Sequence, residues 1–329
     1  MVSLRALTGF LLAGCSLFAA QQPVFAQDKD PQIILISFDG AHNNALWDKS
    51  RDMAKRVDAK FTYFLSCAFL ITKDDARGFY RSPKNSLGLS NVGFAQTKAE
   101  INTRLGHIWQ ARAEGHEMGN HGCGHFDGKA WSVSEWNAEF DQFRDILSSA
   151  WMRNGFADQE PEDWQNFAVN QIKGFRAPYL SHSKNLFASL KANNFTYDAS
   201  TVSNGPAQPK LEELTKFALP LIPEGPSSKK IIAMDYNLYV RHSKAKDNPE
   251  LSQIFEERSY QAFKSAFEKE YDGARIPLQM GFHFVEMNAG AYWRALERFA
   301  FETCSMPDVD CITYQEALTR LHQKRANNS

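Results

Sequence analysis

The sequence predicts an α/β fold built on a parallel sheet or barrel, and three observations carry that expectation. Short β-rich apolar runs alternate with segments of helical apolar spacing along most of the chain. The first run, Ile33-Ile34-Leu35-Ile36-Ser37-Phe38, is almost continuously apolar, as a strand buried on both faces is. Several runs end on an acid, an arginine or a histidine, where parallel α/β folds gather their chemistry.

A chain of 329 residues with 43% hydrophobic residues is long enough for one large domain or two ordinary ones. A formal charge of -1 and the lack of any basic stripe argue against a nucleic-acid partner. The aromatic share of 13% points to a rigid fold with aromatic-lined grooves. There is no internal repeat and no low-complexity tract.

Residues 1–26 read as a secretory signal peptide. Arg5 is their one charge, Ala6 to Ala20 is the apolar run, and Val24-Phe25-Ala26 precedes polar Gln27. Leu12-Ala13-Gly14-Cys15 also resembles a lipoprotein box, but the residues after Cys15 stay apolar, so cleavage after Ala26 and export to the periplasm or the medium are the expectation. No later stretch reaches the roughly 20 apolar residues of a membrane span. Export permits disulfides among Cys67, Cys123, Cys304 and Cys311. Cys304 with Cys311 and Cys67 with Cys123 are the expected pairs, although spacing alone leaves three pairings open.

After the first strand, which ends at Asp39-Gly40, Leu46, Met53 and Val57 recur at helical spacing and Phe61 to Leu65 is a second strand. Thr72 to Thr97 carries charges, Gly78, Pro83, Gly88 and Gly93, and reads as a long insertion. Ile101, Leu105 and Ile108 mark the next helix, and a short strand leads into Gly119-Asn120-His121-Gly122-Cys123-Gly124-His125. Three glycines make that stretch a loop able to aim both imidazoles at one point. Ser132 and Glu135 form a capping box before an amphipathic helix through Leu147. A polar insertion over 152–170 precedes Ile172 to Phe175 and Arg176-Ala177-Pro178-Tyr179.

A helix around Leu186 to Leu190 leads to Phe195-Thr196-Tyr197-Asp198. Residues 203–230, rich in Pro, Gly and Ser, read as an irregular connection. Ile231 to Met234 then leads to Asp235-Tyr236-Asn237, and a helix passes through Phe255 and Phe263. Ile276 to Phe282 is a strand ending at His283, followed by a helix over Tyr292, Leu296 and Phe299. Val309 to Thr313 is the last strand, and Thr313 with Glu316 caps the final helix.

Asp39, the His121/His125 pair, Arg176, Asp198 and His283 therefore all stand at strand ends. Each alone has a plain structural explanation: a helix cap, a surface ion pair, a satisfied core histidine. Five in one topological position point to a site.

These motifs, in this order, resemble those of the polysaccharide deacetylases, the NodB-homology domain of carbohydrate esterase family 4. Ser37-Phe38-Asp39-Gly40 is similar to the first family motif, His121 to His125 to the metal-binding HxxxH, and Arg176-Ala177-Pro178-Tyr179 to RxPY. Tyr197-Asp198-Ala199-Ser200 resembles the fourth motif and Gly281-Phe282-His283 the final strand-end histidine. The match covers most of residues 27–329, one catalytic domain with insertions near 72–97, 152–170 and 203–230. It implies a distorted, partly open (β/α) barrel that hydrolyses acetyl groups on an acetylated polysaccharide or oligosaccharide with a divalent metal, zinc first among the candidates.

In that reading His121 and His125 hold the metal, Asp39 is the base, and His283 protonates the leaving amine. Arg176 orients Asp39, Asp198 orients His283 and raises its pKa, and the backbone N–H of Tyr179 helps to hold the oxyanion. Tyr179, Trp293, Asp235, Tyr236 and Asn237 are candidate substrate contacts. Cys123, between the two histidines, is structural.

The sequence departs from the family at Gly40, where a second aspartate normally supplies a metal ligand. Asp39 acting as both ligand and base is the first replacement, His42 the second, and water the third. Removal of N-acetyl groups from N-acetylglucosamine units is the leading function. An O-acetyl esterase of the xylan type and a catalytically degenerate carbohydrate-binding protein are the alternatives.

Overall fold

The computed structural model describes residue 1 and residues 29–327. The expected signal peptide, its cleavage point and Cys15 lie outside the described residues. No helix among the described residues is long and apolar enough to cross a membrane.

Among the described residues nine strands form the sheet: β1 (Gln32–Gly40), β2 (Thr62–Leu65), β3 (Glu117–Asn120), β4 (Gly174–Phe175), β5 (Tyr197–Ser203), β6 (Thr215–Glu224), β7 (Lys229–Ile232), β8 (Leu278–His283) and β9 (Val309–Cys311). Their order is β7-β6-β5-β4-β3-β2-β1-β8, with β9 also on β1, and every pairing except β6 with β7 is parallel. The sheet curls until its ends meet. The Gly281 N–H donates to the Ala233 carbonyl (3.0 Å), and Gln279 Nε2 donates to the Ala218 carbonyl (2.9 Å), across strands at opposite ends of that order. The result is a distorted, partly open barrel surrounded by helices.

The principal helices are α1 (Asn44–Arg56), α2 (Lys98–Ala113), α3 (Val133–Ser148), α4 (Lys184–Ala192), α5 (Asp235–Ser243), α6 (Ser252–Asp272), α7 (Met287–Thr303) and α8 (Tyr314–Asn327). Their starts follow the expected chemistry. The Asn43 side chain accepts the Ala45 and Leu46 N–H groups, Ser132 and Glu135 form the full capping box, and Thr313 Oγ1 accepts the Glu316 N–H.

Strand parity decides what faces the barrel axis, because successive side chains point to opposite sides. Leu35, Phe64, Tyr197, Phe217 and Tyr314 pack into an inner cluster. Along β1, Leu35, Ser37 and Asp39 share that inner side, while Ile34, Ile36 and Phe38 belong to the large cluster beneath the outer helices. There Phe38 stacks on Trp293 (5.0 Å) and Trp47 packs on Tyr63 (4.3 Å).

Residues 203–230 are not an irregular connection. They contain β6 and part of β7, and β6 pairs parallel with β5 through Pro220 and antiparallel with β7 from Leu221 onward. Pro220 and Pro223 interrupt what would otherwise read as a strand, and the change of partner midway is what accommodates them. The insertion over 72–97 is closed at its base by a bridge between Thr72 and Ala95. The segment over 152–170 folds into short helical turns on the outside, with Trp164 Nε1 donating to the Leu147 carbonyl (3.0 Å). Both expected disulfides are present: Cys67–Cys123 ties the end of β2 to the loop after β3, and Cys304–Cys311 ties α7 to β9.

Candidate active site

A cleft of about 660 Å³ opens at the carboxyl ends of the strands, lined among others by Asp39, His121, His125, Tyr179, Tyr236, Asn237 and His283. In the register, Asp39 of β1 stands opposite His283 of β8 and Phe64 of β2, and Phe64 opposite Gly119 of β3. Asp39 and His283 are thus neighbours on adjacent strands, both on the inner side.

Asp39 is buried, and its Oδ1 accepts from Arg176 Nη1 at 2.9 Å. Arg176 is fully buried and spends its remaining donors on Ser37 Oγ (2.8 Å), the Ala199 carbonyl (3.1 Å) and Tyr314 Oη (2.9 Å). Burial pushes the Asp39 pKa up, but the Arg176 charge, with help from His121 and His283, outweighs it and holds the carboxyl below its ordinary range. Arg176 therefore fixes both the orientation and the ionised state of Asp39.

His283 is held by a different acid from the one expected. Asp235, at the start of α5, accepts the His283 N–H (2.8 Å) with one oxygen and faces its Nδ1 (2.6 Å) with the other. Burial lowers the His283 pKa, and the adjacent Asp235 carboxylate, with Asp39 behind it, more than compensates, so the net shift is upward. Asp198 does not reach His283. It pairs in register with Phe175, whose side chain lies in the outer cluster beneath α3 and α4, whereas Tyr197 before it and Ala199 after it face the barrel interior. Asp198 instead accepts from Ser200 Oγ (2.6 Å) and the Ser200 N–H (3.2 Å), while Ser200 Oγ accepts the Ala177 N–H (2.8 Å). It braces the segment that carries Arg176 and Tyr179.

The rings of His121 and His125 lie 5.1 Å apart, edge to face. His121 Nδ1 lies 2.7 Å from the Arg176 carbonyl, so it carries the proton, and Nε2 is buried with no partner. Burial lowers the pKa of His121, and burial with the neighbouring His121 and His283 charges pushes His125 down to about 3. Both imidazoles are thus neutral, the form that binds metal. His42 is a correction: it does not line the cleft, its ring stacks on Phe69 (4.8 Å), and burial pushes its pKa down to about 4. Gly40 sits at φ 85°, a backbone region that side chains rarely adopt.

The orphaned Nε2 of His121 is the observation that fits a metal here. Among the described residues no group of three or more His, Cys, Asp or Glu side chains is close enough to hold one. The residues fit an ion taken by two imidazole nitrogens, with its other positions left to solvent; Asp39, expected as the third ligand, is not grouped with them.

Of the candidate substrate contacts, Tyr179 and Tyr236 line the cleft and are about half exposed, and Asn237 lines it too. Tyr179 has left-handed backbone angles (φ 57°). Trp293 is buried and donates from Nε1 to the His283 carbonyl (3.0 Å), so it supports the strand end rather than meeting a ligand. Asn91 and Val92 bring the 72–97 insertion into the cleft, whereas no residue of 152–170 reaches it.

No protein-family model matches the sequence, and no curated protein matches it. Solved structures do. A Mycobacterium smegmatis protein assigned as a polysaccharide deacetylase is similar with a TM-score of 0.55 at 14% identity, over 93% of this chain and 95% of its own. The carbohydrate esterase domain of a xylanase from the hindgut metagenome of Trinervitermes trinervoides matches with 0.49 at 12%, over 89% and 92%. A Bacillus subtilis peptidoglycan deacetylase matches with 0.47 at 11%, over 91% and 95%. At such identities the first likeness establishes the fold, that of the polysaccharide deacetylases.

The reassignment of Asp198 has a thermodynamic signature. Burial, opposed by the Ser200 hydrogen bonds, raises its pKa from 3.8 to about 6. A raised folded-state pKa gives stability that is complete below the unfolded value and is lost as pH rises through the folded one. Asp198→Asn removes that dependence. Between pH 3.5 and 7 the unfolding free energy of wild type falls relative to the variant by on the order of 3 kcal/mol, measured by denaturant titration.

Proposed function

We propose that the chain is an exported, metal-dependent carbohydrate deacetylase that hydrolyses acetyl groups of a glycan, first among them the N-acetyl groups of N-acetylglucosamine units. The observation that carries this reading is the Asp39–His283 pair: two acid–base groups facing one cleft, one bonded to Arg176, which favours its ionised form, and the other bonded to Asp235, which favours its protonated form. Hydrolysis of an acetamide needs those two states together, a base to take a proton from water and an acid to give one to the leaving nitrogen.

Asp39 accepts the proton of the attacking water as its oxygen bonds to the acetyl carbon. The backbone N–H of Tyr179 is assigned to the developing oxyanion in this reading. His283 then donates to the amine as the carbon–nitrogen bond breaks, and acetate leaves. Asp235 stabilises the imidazolium before that transfer and fixes its ring. Tyr179 and Tyr236 offer apolar faces suited to sugar rings. A divalent ion, zinc first among the candidates, held by His121 and His125, supplies Lewis acidity to water and to the acetyl carbonyl.

The test is acetate release from N-acetylglucosamine oligomers and from O-acetylated xylan, with and without chelator. Release from the oligomers that is lost on chelation and restored by zinc is the expected outcome. Preference for the xylan would make the chain an O-acetyl esterase, and glycan binding without release would make it a degenerate binding protein. Asp39→Asn and His283→Ala each lower kcat/KM by roughly 10²–10⁴-fold.

The pH profile follows from the two partners. The rate rises through the low pKa of Asp39 and falls through the raised pKa of His283. Asp235→Asn takes away the charge that raises the His283 pKa, so the falling limb moves to lower pH while the rising limb stays. An unmoved falling limb would remove His283 from the role of acid.

A further inference from the structure

The first four backbone N–H groups of the loop 121–125 each have a partner. The His121 N–H donates to the Leu65 carbonyl (2.9 Å) and the Gly122 N–H to Asn120 Oδ1 (2.7 Å). The next two donors go elsewhere. The Cys123 N–H donates to Glu139 Oε1 (2.7 Å) and the Gly124 N–H to Tyr80 Oη (2.9 Å). Tyr80 Oη in turn donates to the Glu139 carboxylate (3.0 and 3.2 Å). One tyrosine hydroxyl thus takes a loop N–H and passes its own proton to the carboxylate that takes the preceding one.

Both groups are deeply buried, Glu139 on α3 and Tyr80 in the 72–97 insertion. Among the described residues no cation is a hydrogen-bond partner of Glu139, and burial pushes its pKa up to about 7 against the Cys123 and Tyr80 hydrogen bonds. A carboxylate buried without a counter-ion is destabilising unless donors require it. Its donors here are the loop and the tyrosine that holds the loop. The fit is close: a Cβ on Gly124 would stand 2.8 Å from Tyr80 Oη, so only glycine lets that N–H approach. The insertion adds Asn91, whose N–H donates to the Gly124 carbonyl (2.8 Å) and whose Nδ2 donates to the His125 carbonyl (3.0 Å).

We propose that Glu139 and Tyr80 are positioning residues that set the backbone of the 121–125 loop and thereby the aim of His121 and His125 into the cleft, with the 72–97 insertion serving as the loop's scaffold. The brace rests on hydrogen-bond geometry alone. Its consequence for metal rests on the reading of His121 and His125 as ligands.

Two readouts separate these. In metal-free wild type, amide hydrogen exchange at Cys123 and Gly124 is slow, and exchange there at the rate of an unprotected amide overturns the proposal without any variant. Tyr80→Phe speeds exchange at Gly124 by about tenfold or more. Tyr63→Phe, which removes another buried hydroxyl bonded to Ser50 Oγ (3.0 Å), leaves the loop unchanged. Equal loop exchange in Tyr80→Phe and wild type, or equal acceleration by Tyr63→Phe, overturns it. Zinc affinity, by chelator competition, falls by roughly 10–100-fold in Tyr80→Phe and less in Glu139→Gln, which keeps a carbonyl oxygen for the Cys123 N–H. If wild type binds no zinc, the metal reading fails and exchange alone decides the brace.

Discussion

The mouth of the barrel depends on the buried ion pair between Arg176 and Asp39. Neither charge reaches solvent to any extent, so each would be strongly destabilising alone. The guanidinium is tolerated because its donors are distributed over β1, β5 and α8, and because its plane lies over Phe64 at 4.4 Å. Those same bonds draw the strands together: Ser37 and Asp39 from β1, Ala199 from β5 and Tyr314 from α8 all converge on one side chain that follows β4. The pair is therefore a closure device for the barrel and the electrostatic setting of the cleft at once. Asp39 stays ionised inside a protein core because the cation that closes the barrel is bonded to it.

Much of this was legible in the sequence. A strand-end position is a topological property, so Asp39, His121, Arg176 and His283 were found from alternation and motif order, and the structure places all four on the cleft or against it. Parity was not legible at β5. In Tyr197-Asp198-Ala199-Ser200 every side chain is buried, on one face or the other, so polarity gives no alternation from which to tell the inward residues from the outward ones. Asp198 falls outward, and the acid that serves His283 is Asp235, a residue separated from it by α5 and α6. Nothing local in the sequence marks that partnership. A helix-starting acid after a strand-like run is the one weak sign.

The errors at 203–230 and at His42 have one cause: a side-chain preference was read without its partner. Pro220 and Pro223 argue against a strand only if the strand keeps the same neighbours throughout, and β6 does not. A histidine two residues past Asp39 looks like a ligand until Phe69 is placed beside it. That ring stacks on His42 and also lies 3.7 Å from where a Cβ on Gly40 would stand. One phenylalanine, delivered by the turn after β2, thus packs on His42 and lies at ordinary contact distance from where a side chain at position 40 would begin.

The division of labour among the three cleft histidines then follows from their carboxylates. His121 is buried and His125 and His283 are partly so, which favours the neutral form in each. His121 and His125 feel Asp39 as a charge already engaged by Arg176, and burial wins. His283 has Asp235 in direct contact with its ring and its backbone, and the charge wins. One carboxylate at the head of α5 therefore sets the pKa of His283 apart from those of His121 and His125. Gly40 contributes to neither balance. On the proposed function, the glycine at 40 bears on the number of metal ligands and not on the Asp39–His283 pair.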